Sequence, residues 1–146
     1  MPDTTVLAPA TTARRPRRAA VRTGWVLTAL FSAFLAVDGV AHLVRPAPVV
    51  EATERLGFPP ESAIVMGVVQ LLCLALHLLR PTTVLGAVLL TGYLGGAVTA
   101  HLRVEDPLLS ATLFPIYMGT LMWVGLWLRE PAVRTQLPLA RTRAAA

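Results

Sequence analysis

A chain of 146 residues has room for one domain, and a content of 55% hydrophobic against 14% charged residues leaves too little polar surface for a water-soluble fold of that size. Thirteen basic residues, all arginine, outnumber eight acidic ones. They flank apolar runs and carry no base-stacking or groove-reading pattern, so they point to anionic lipid and membrane orientation, with no nucleic-acid partner.

Residues 1–23, rich in Ala, Thr, Pro and Arg, have no apolar periodicity and are expected to form a disordered basic tail. The first apolar run, Gly24 to Val44, is long enough to cross the ~30 Å hydrocarbon core at ~1.5 Å per helical residue. Read as a signal peptide it would be cut near Gly39-Val40-Ala41, but the run is longer than a usual signal core and Asp38 sits just before the cut. The connection that follows places Val49, Val50, Thr53 and Leu56 at helical spacing opposite Glu51, Glu54 and Arg55, with Gly57 as a C-terminal cap. This predicts a short amphipathic helix at the membrane interface, anchored by Phe58.

Ser62 to Leu79, Thr83 to Leu102 and Leu108 to Leu128 are three further apolar runs of spanning length. Without period-2 alternation they are helices, because in a bilayer each segment must satisfy its own backbone. The tight Arg80-Pro81 and Glu105-Asp106-Pro107 connections make neighbours antiparallel. The predicted fold is all-α: an antiparallel bundle of four transmembrane helices over residues 24–129, followed by a flexible tail over 130–146. On the third run Gly92, Gly96 and Ala100 recur every four residues and predict a close helix-packing face; Ala63, Gly67, Gly119 and Gly125 offer smaller gaps. Pro115 predicts a bend in the fourth run.

Ten arginines lie before the first run, after the last, or at Arg80, whereas Arg45, Arg55 and Arg103 sit among acidic residues in the other two connections. The positive-inside rule therefore predicts both termini in the cytoplasm. Trp25, Trp123 and Trp127 form an aromatic belt on that side, and His77 near the same end is expected among headgroups.

Asp38 and His42 are the most informative polar residues. Their i,i+4 spacing puts both on one helix face within the membrane, where a lone carboxylate is expensive and His42 is its natural partner. Gln70, Tyr93, His101 and Tyr117 reach similar depth from the other runs, which suggests a polar pocket that binds a small molecule or relays protons; the same groups also fit interhelical cross-links. Single Cys73 cannot form an intramolecular disulfide, no metal-ligand spacing is present, and no nucleophile, phosphate-loop or zinc motif names a reaction.

Leu56-Gly57-Phe58-Pro59, Thr91-Gly92-Tyr93-Leu94-Gly95-Gly96-Ala97-Val98 continuing to His101-Leu102-Arg103, and Leu113-Phe114-Pro115-Ile116-Tyr117 with Trp123 to Arg129 resemble the DoxX-like family of small four-span bacterial membrane proteins. The resemblance implies a four-helix membrane domain associated with redox assemblies, since the family is named after a subunit of a quinone-reducing thiosulfate oxidoreductase. It transfers no catalytic residue. The reading that follows is a subunit or accessory of a quinone-linked membrane redox system, non-catalytic alone, with quinone as the expected ligand and His42, Tyr93, Tyr117 or Gln70 as donors to its carbonyls. A redox protein or a second copy is the expected partner besides lipid. The alternatives are a small-solute carrier and a purely structural partner protein.

Overall fold

The computed structural model describes residues 18–136, so the tails at 1–17 and 137–146 lie outside it. All regular structure among the described residues is helical: α1 (Arg18–Val44), α2 (Ala47–Arg55), α3 (Ser62–Leu78), α4 (Thr83–Arg103), α5 (Phe114–Arg129) and α6 (Pro131–Gln136). A 3-10 turn, Arg80–Thr82, joins α3 to α4, and a π turn, Leu108–Thr112, precedes α5. Three segments, Arg18–Val44, Arg80–Arg103 and Leu108–Arg129, are long and apolar enough to cross a membrane; α3, at 17 residues, is a shorter apolar helix.

Each of α1, α3, α4 and α5 packs against two of the others, in the cyclic order α1, α3, α4, α5. Large apolar side chains such as Val37, Val65, Leu72, Leu85 and Leu109 face outward, the pattern expected where lipid rather than water is the solvent. The described chain begins and ends at one pole of the bundle, called here the tail end; the α1–α2 and α4–α5 connections lie at the opposite pole.

The tail end is closely packed. Phe31, His77, Leu90, Met122 and Leu126 are fully buried there, with the Phe31 and His77 rings edge to face at 6.0 Å. His77 therefore belongs to the core and not to the headgroup layer. Its Nδ1 donates to the carbonyl of Thr83 at 3.1 Å, while Thr82 Oγ1 donates to Leu76 O at 2.8 Å, and the two bonds lace the α3–α4 turn. Glycines set the helix separations, as small residues do in membranes. A Cβ on Gly24 of α1 would lie 2.8 Å from the Gly125 carbonyl of α5, and, toward the opposite pole, one on Gly67 of α3 would lie 2.8 Å from the Gly39 carbonyl of α1. A Cβ on Gly86 of α4 would collide with the main chain of His77. Arg129 ends α5 with its guanidinium 4.5 Å from the centroid of Trp25, a cation–π contact.

Three further expectations need revision. The helix α1 starts at Arg18, six residues before the apolar run, because nothing in Arg18-Ala19-Ala20-Val21-Arg22-Thr23 breaks a helix. Pro131 restarts a helix after Glu130 in place of the expected flexible tail, and Val133 of that helix is 4% exposed. Pro115 does not bend a continuous helix: it sits in the first turn of α5, where no amide donor is needed, after a π turn that ends at Thr112. The α1 and α4 helices are each followed closely by a left-handed non-glycine residue, Arg45 at φ 56° and Glu105 at φ 55°.

Candidate functional site

The pole opposite the tails is hollow. A cavity of about 450 Å³ opens between α1, α3, α4 and α5, and apolar side chains such as Phe34, Met66, Phe114 and Met118 make most of its wall. That volume falls in the range of small-molecule sites, which combine a mainly apolar lining with a few placed polar groups. The polar groups are Asp38, His42, Gln70, Tyr93 and His101, five of the six candidates read from the sequence. Tyr117 is not among them. Its ring is half exposed on the outside of α5, and its hydroxyl donates to Leu109 O at 3.2 Å within the π turn.

The cavity exists because of the glycines on α4. Gly92, Gly96 and Ala100 line it, and a Cβ at Gly92, Gly95 or Gly96 would meet nothing within 4 Å. The expected helix-packing face is thus corrected: no described helix lies against it, and the space left by the missing side chains is the cavity itself. Of the smaller gaps, Gly67 on α3 and Gly125 on α5 make close helix contacts, against Gly39 and Gly24 of α1.

The Asp38 carboxylate is held by another helix. Gln70, 2% exposed on α3, donates from Nε2 both to Leu35 O at 2.9 Å and to Asp38 Oδ2 at 3.0 Å on α1. Both partners are acceptors, which fixes the amide orientation and commits its hydrogens. His42 Nδ1 lies 2.9 Å from the main-chain carbonyl of Asp38 and 3.6 Å from its carboxylate. A carbonyl only accepts, so Nδ1 carries the hydrogen, and Nε2 of this wall residue has no partner among the described residues. Asp38 therefore takes its hydrogen bond from Gln70, and the adjacent histidine turns to the backbone.

At the rim, His101 Nδ1 donates to Asp106 Oδ2 at 2.6 Å, and Arg55 at the end of α2 donates to the other oxygen of the same carboxylate. The His101 hydrogen bond, reinforced by Arg55, holds the Asp106 carboxyl below the usual carboxylate range. Arg103 donates to Leu56 O and lies 5.5 Å over the Phe58 ring. Leu56 and Phe58 are themselves part of the cavity wall, so these contacts fasten the segment after α2 against the cavity. Gly57 between them has φ 77°, the left-handed cap that the sequence suggests. The Asp106 hub is not legible in the sequence, because Arg55 and Asp106 are 51 residues apart and each reads alone as a solvated charge.

Of the four donors expected to meet a ligand carbonyl, Gln70 and His42 have committed their hydrogens and Tyr117 faces elsewhere, which leaves the Tyr93 hydroxyl. Comparison with curated proteins and with solved structures finds no match. The sequence profile of the DoxX-like family matches residues 26–125, a span that contains α3 and α4 entire, most of α1 and α5, and every residue of the cavity wall. This chain belongs to the DoxX-like family of membrane proteins.

Proposed function

We propose that the protein is a four-span subunit or accessory of a quinone-linked redox system of the bacterial cytoplasmic membrane, and that its cavity receives the ring of the quinone. The carrying observation is the cavity of about 450 Å³ with an apolar wall, a side-chain-free glycine face and a few polar groups. A flat ring fits against a helix face that has no Cβ atoms, and an isoprenoid tail can leave between helices into lipid. Such a group supplies two-electron, two-proton carriage when bound. The chain's own part is to hold the ring, to place Tyr93 and the Nε2 atoms of His42 and His101 near its oxygens, and to keep water out with the Leu56–Phe58 segment.

In this reading α3 is the fourth span, α2 lies in the interface, and both tails are cytoplasmic, following the arginine distribution. A partner protein is the source of the electrons. Organic extraction of the purified protein tests the ligand: quinone recovered near one equivalent supports the reading, and quinone at the level of an unrelated membrane protein contradicts it. Impermeant thiol labelling in a Cys73→Ala background tests the topology. Cysteines placed at Glu54 and Glu105 should react in intact cells and one at Thr135 should not; the reverse pattern overturns the orientation.

A further inference from the structure

We infer, building on the quinone reading above, that the cavity is made to hold the reduced, hydroxyl-bearing ring, a hydroquinone, in preference to the carbonyl-bearing quinone. The argument is a count of hydrogens. Gln70 has spent its amide hydrogens on Leu35 O and Asp38 Oδ2, so its remaining polar atom is a carbonyl oxygen. Asp38 accepts from Gln70 at one oxygen, no described residue is hydrogen-bonded to the other, and its side chain is 41% exposed. His42 and His101 each commit Nδ1–H, to a main-chain carbonyl and to the Asp106 carboxylate, so in the neutral ring each Nε2 is an acceptor. Tyr93 alone can give a hydrogen without first gaining a proton.

A quinone brings two acceptors to this lining and would leave acceptor facing acceptor. A hydroquinone brings two donors at opposite ends of its ring. The alternative use of such oxygens and nitrogens, a shared cation, does not fit their spread: among the described residues no three His, Cys, Asp or Glu side chains are grouped closely enough to hold a metal ion. The acceptors fall in two groups, Asp38, Gln70 and His42 on α1 and α3 and His101 on α4, which matches a ligand whose donors are also separated. The supporting bonds that fix this pattern, Gln70 to Asp38 and Asp106 to His101, come from elements other than those bearing the acceptors or lie outside the cavity, so a ligand does not have to rebuild them.

The test is binding, measured by anaerobic equilibrium dialysis on the full chain in nanodiscs, with decylubiquinol and decylubiquinone as the probes. The quinol should bind about tenfold more tightly, the difference expected when a hydrogen bond replaces an acceptor–acceptor contact. That ratio corresponds to raising the potential of the bound couple by about 30 mV. Asp38→Asn keeps the shape and turns an acceptor into a donor, and should bring the two affinities together. Tyr93→Phe removes the donor, and should widen the ratio, which keeps the test decisive if Asp38→Asn folds poorly. Equal binding, or tighter binding of the quinone, overturns this inference and leaves the quinone reading standing; a ratio unchanged in both variants overturns it too. Binding of neither probe overturns the quinone reading itself.

Discussion

The packed tail end and the α4 face of the cavity use the same residue to opposite ends. At the tail end glycine brings helices together: Gly24 against Gly125, and Gly86 against the main chain of His77, with Phe31, Met122 and Leu126 fully buried around them. At the other pole Gly92 and Gly96 face open space and line a cavity. In a bilayer no hydrophobic force distinguishes a helix contact from a lipid contact, so close contacts, at the tail end and between Gly39 of α1 and Gly67 of α3, have to hold the helices while the α4 face stays apart. A glycine face says only that nothing stands on that face. Whether a helix or a ligand uses the space depends on what the neighbouring helices carry at that level, and here Phe34, Met66, Phe114 and Met118 line the same cavity as Gly92 and Gly96.

The largest effect should come from filling the closed pole. Gly86→Ala puts a Cβ into the backbone of His77, which cannot move as a flexible side chain can, and should destabilise the fold by about 3 kcal/mol, the upper end for overpacking. Reversible unfolding in mixed micelles measures this, and a native-like stability would remove the close-contact account of the tail end. A smaller loss follows from Gln70→Leu, which strips two bonds from α1 and leaves Asp38 without its donor. Interhelical hydrogen bonds of this kind contribute about 1 kcal/mol, so the same assay should show a drop of that order, reduced when Asp38→Leu is added because the uncompensated carboxylate goes with it.

The smallest effect is at the rim. Because folding lowers the pKa of Asp106, its contribution is complete above the unfolded carboxylate value of about 3.9 and is lost as pH falls through the lower folded value. Protection of the α2 amides against hydrogen exchange should follow that course, and Asp106→Asn should abolish the dependence while leaving the protection of α4 and α5 amides unchanged. An equal loss of protection in α4 would mean that Asp106 supports the whole fold instead of the segment fastened against the cavity.

Length and hydropathy make the helices legible in the sequence, since four apolar runs bounded by arginine, proline and acidic turns allow few other arrangements. The pocket's polar members are legible for the same reason: a polar side chain at membrane depth has to face inward, and Asp38, His42, Gln70, Tyr93 and His101 all do. Pairing is not legible. The i,i+4 spacing offers His42 as the partner of Asp38, but a helical histidine can equally reach the carbonyl four residues back, and Gln70 from α3 takes the carboxylate. For Tyr117 the sequence gives only depth, which does not fix the direction a residue faces around α5. For His77 it gives only nearness to a helix end, whereas the laced α3–α4 turn folds over that end and buries the ring.

The central claim, that the α4 glycine face is the wall of a ligand cavity and not a helix contact, is tested most directly by Gly96→Leu. The account predicts an unfolding stability equal to the native protein's, or slightly above it from the gain in helix propensity, together with at least a ~tenfold loss of decylubiquinol binding as the side chain fills the slot. A variant that loses as much stability as Gly86→Ala, or one that is stable and still binds the quinol with native affinity, would contradict it.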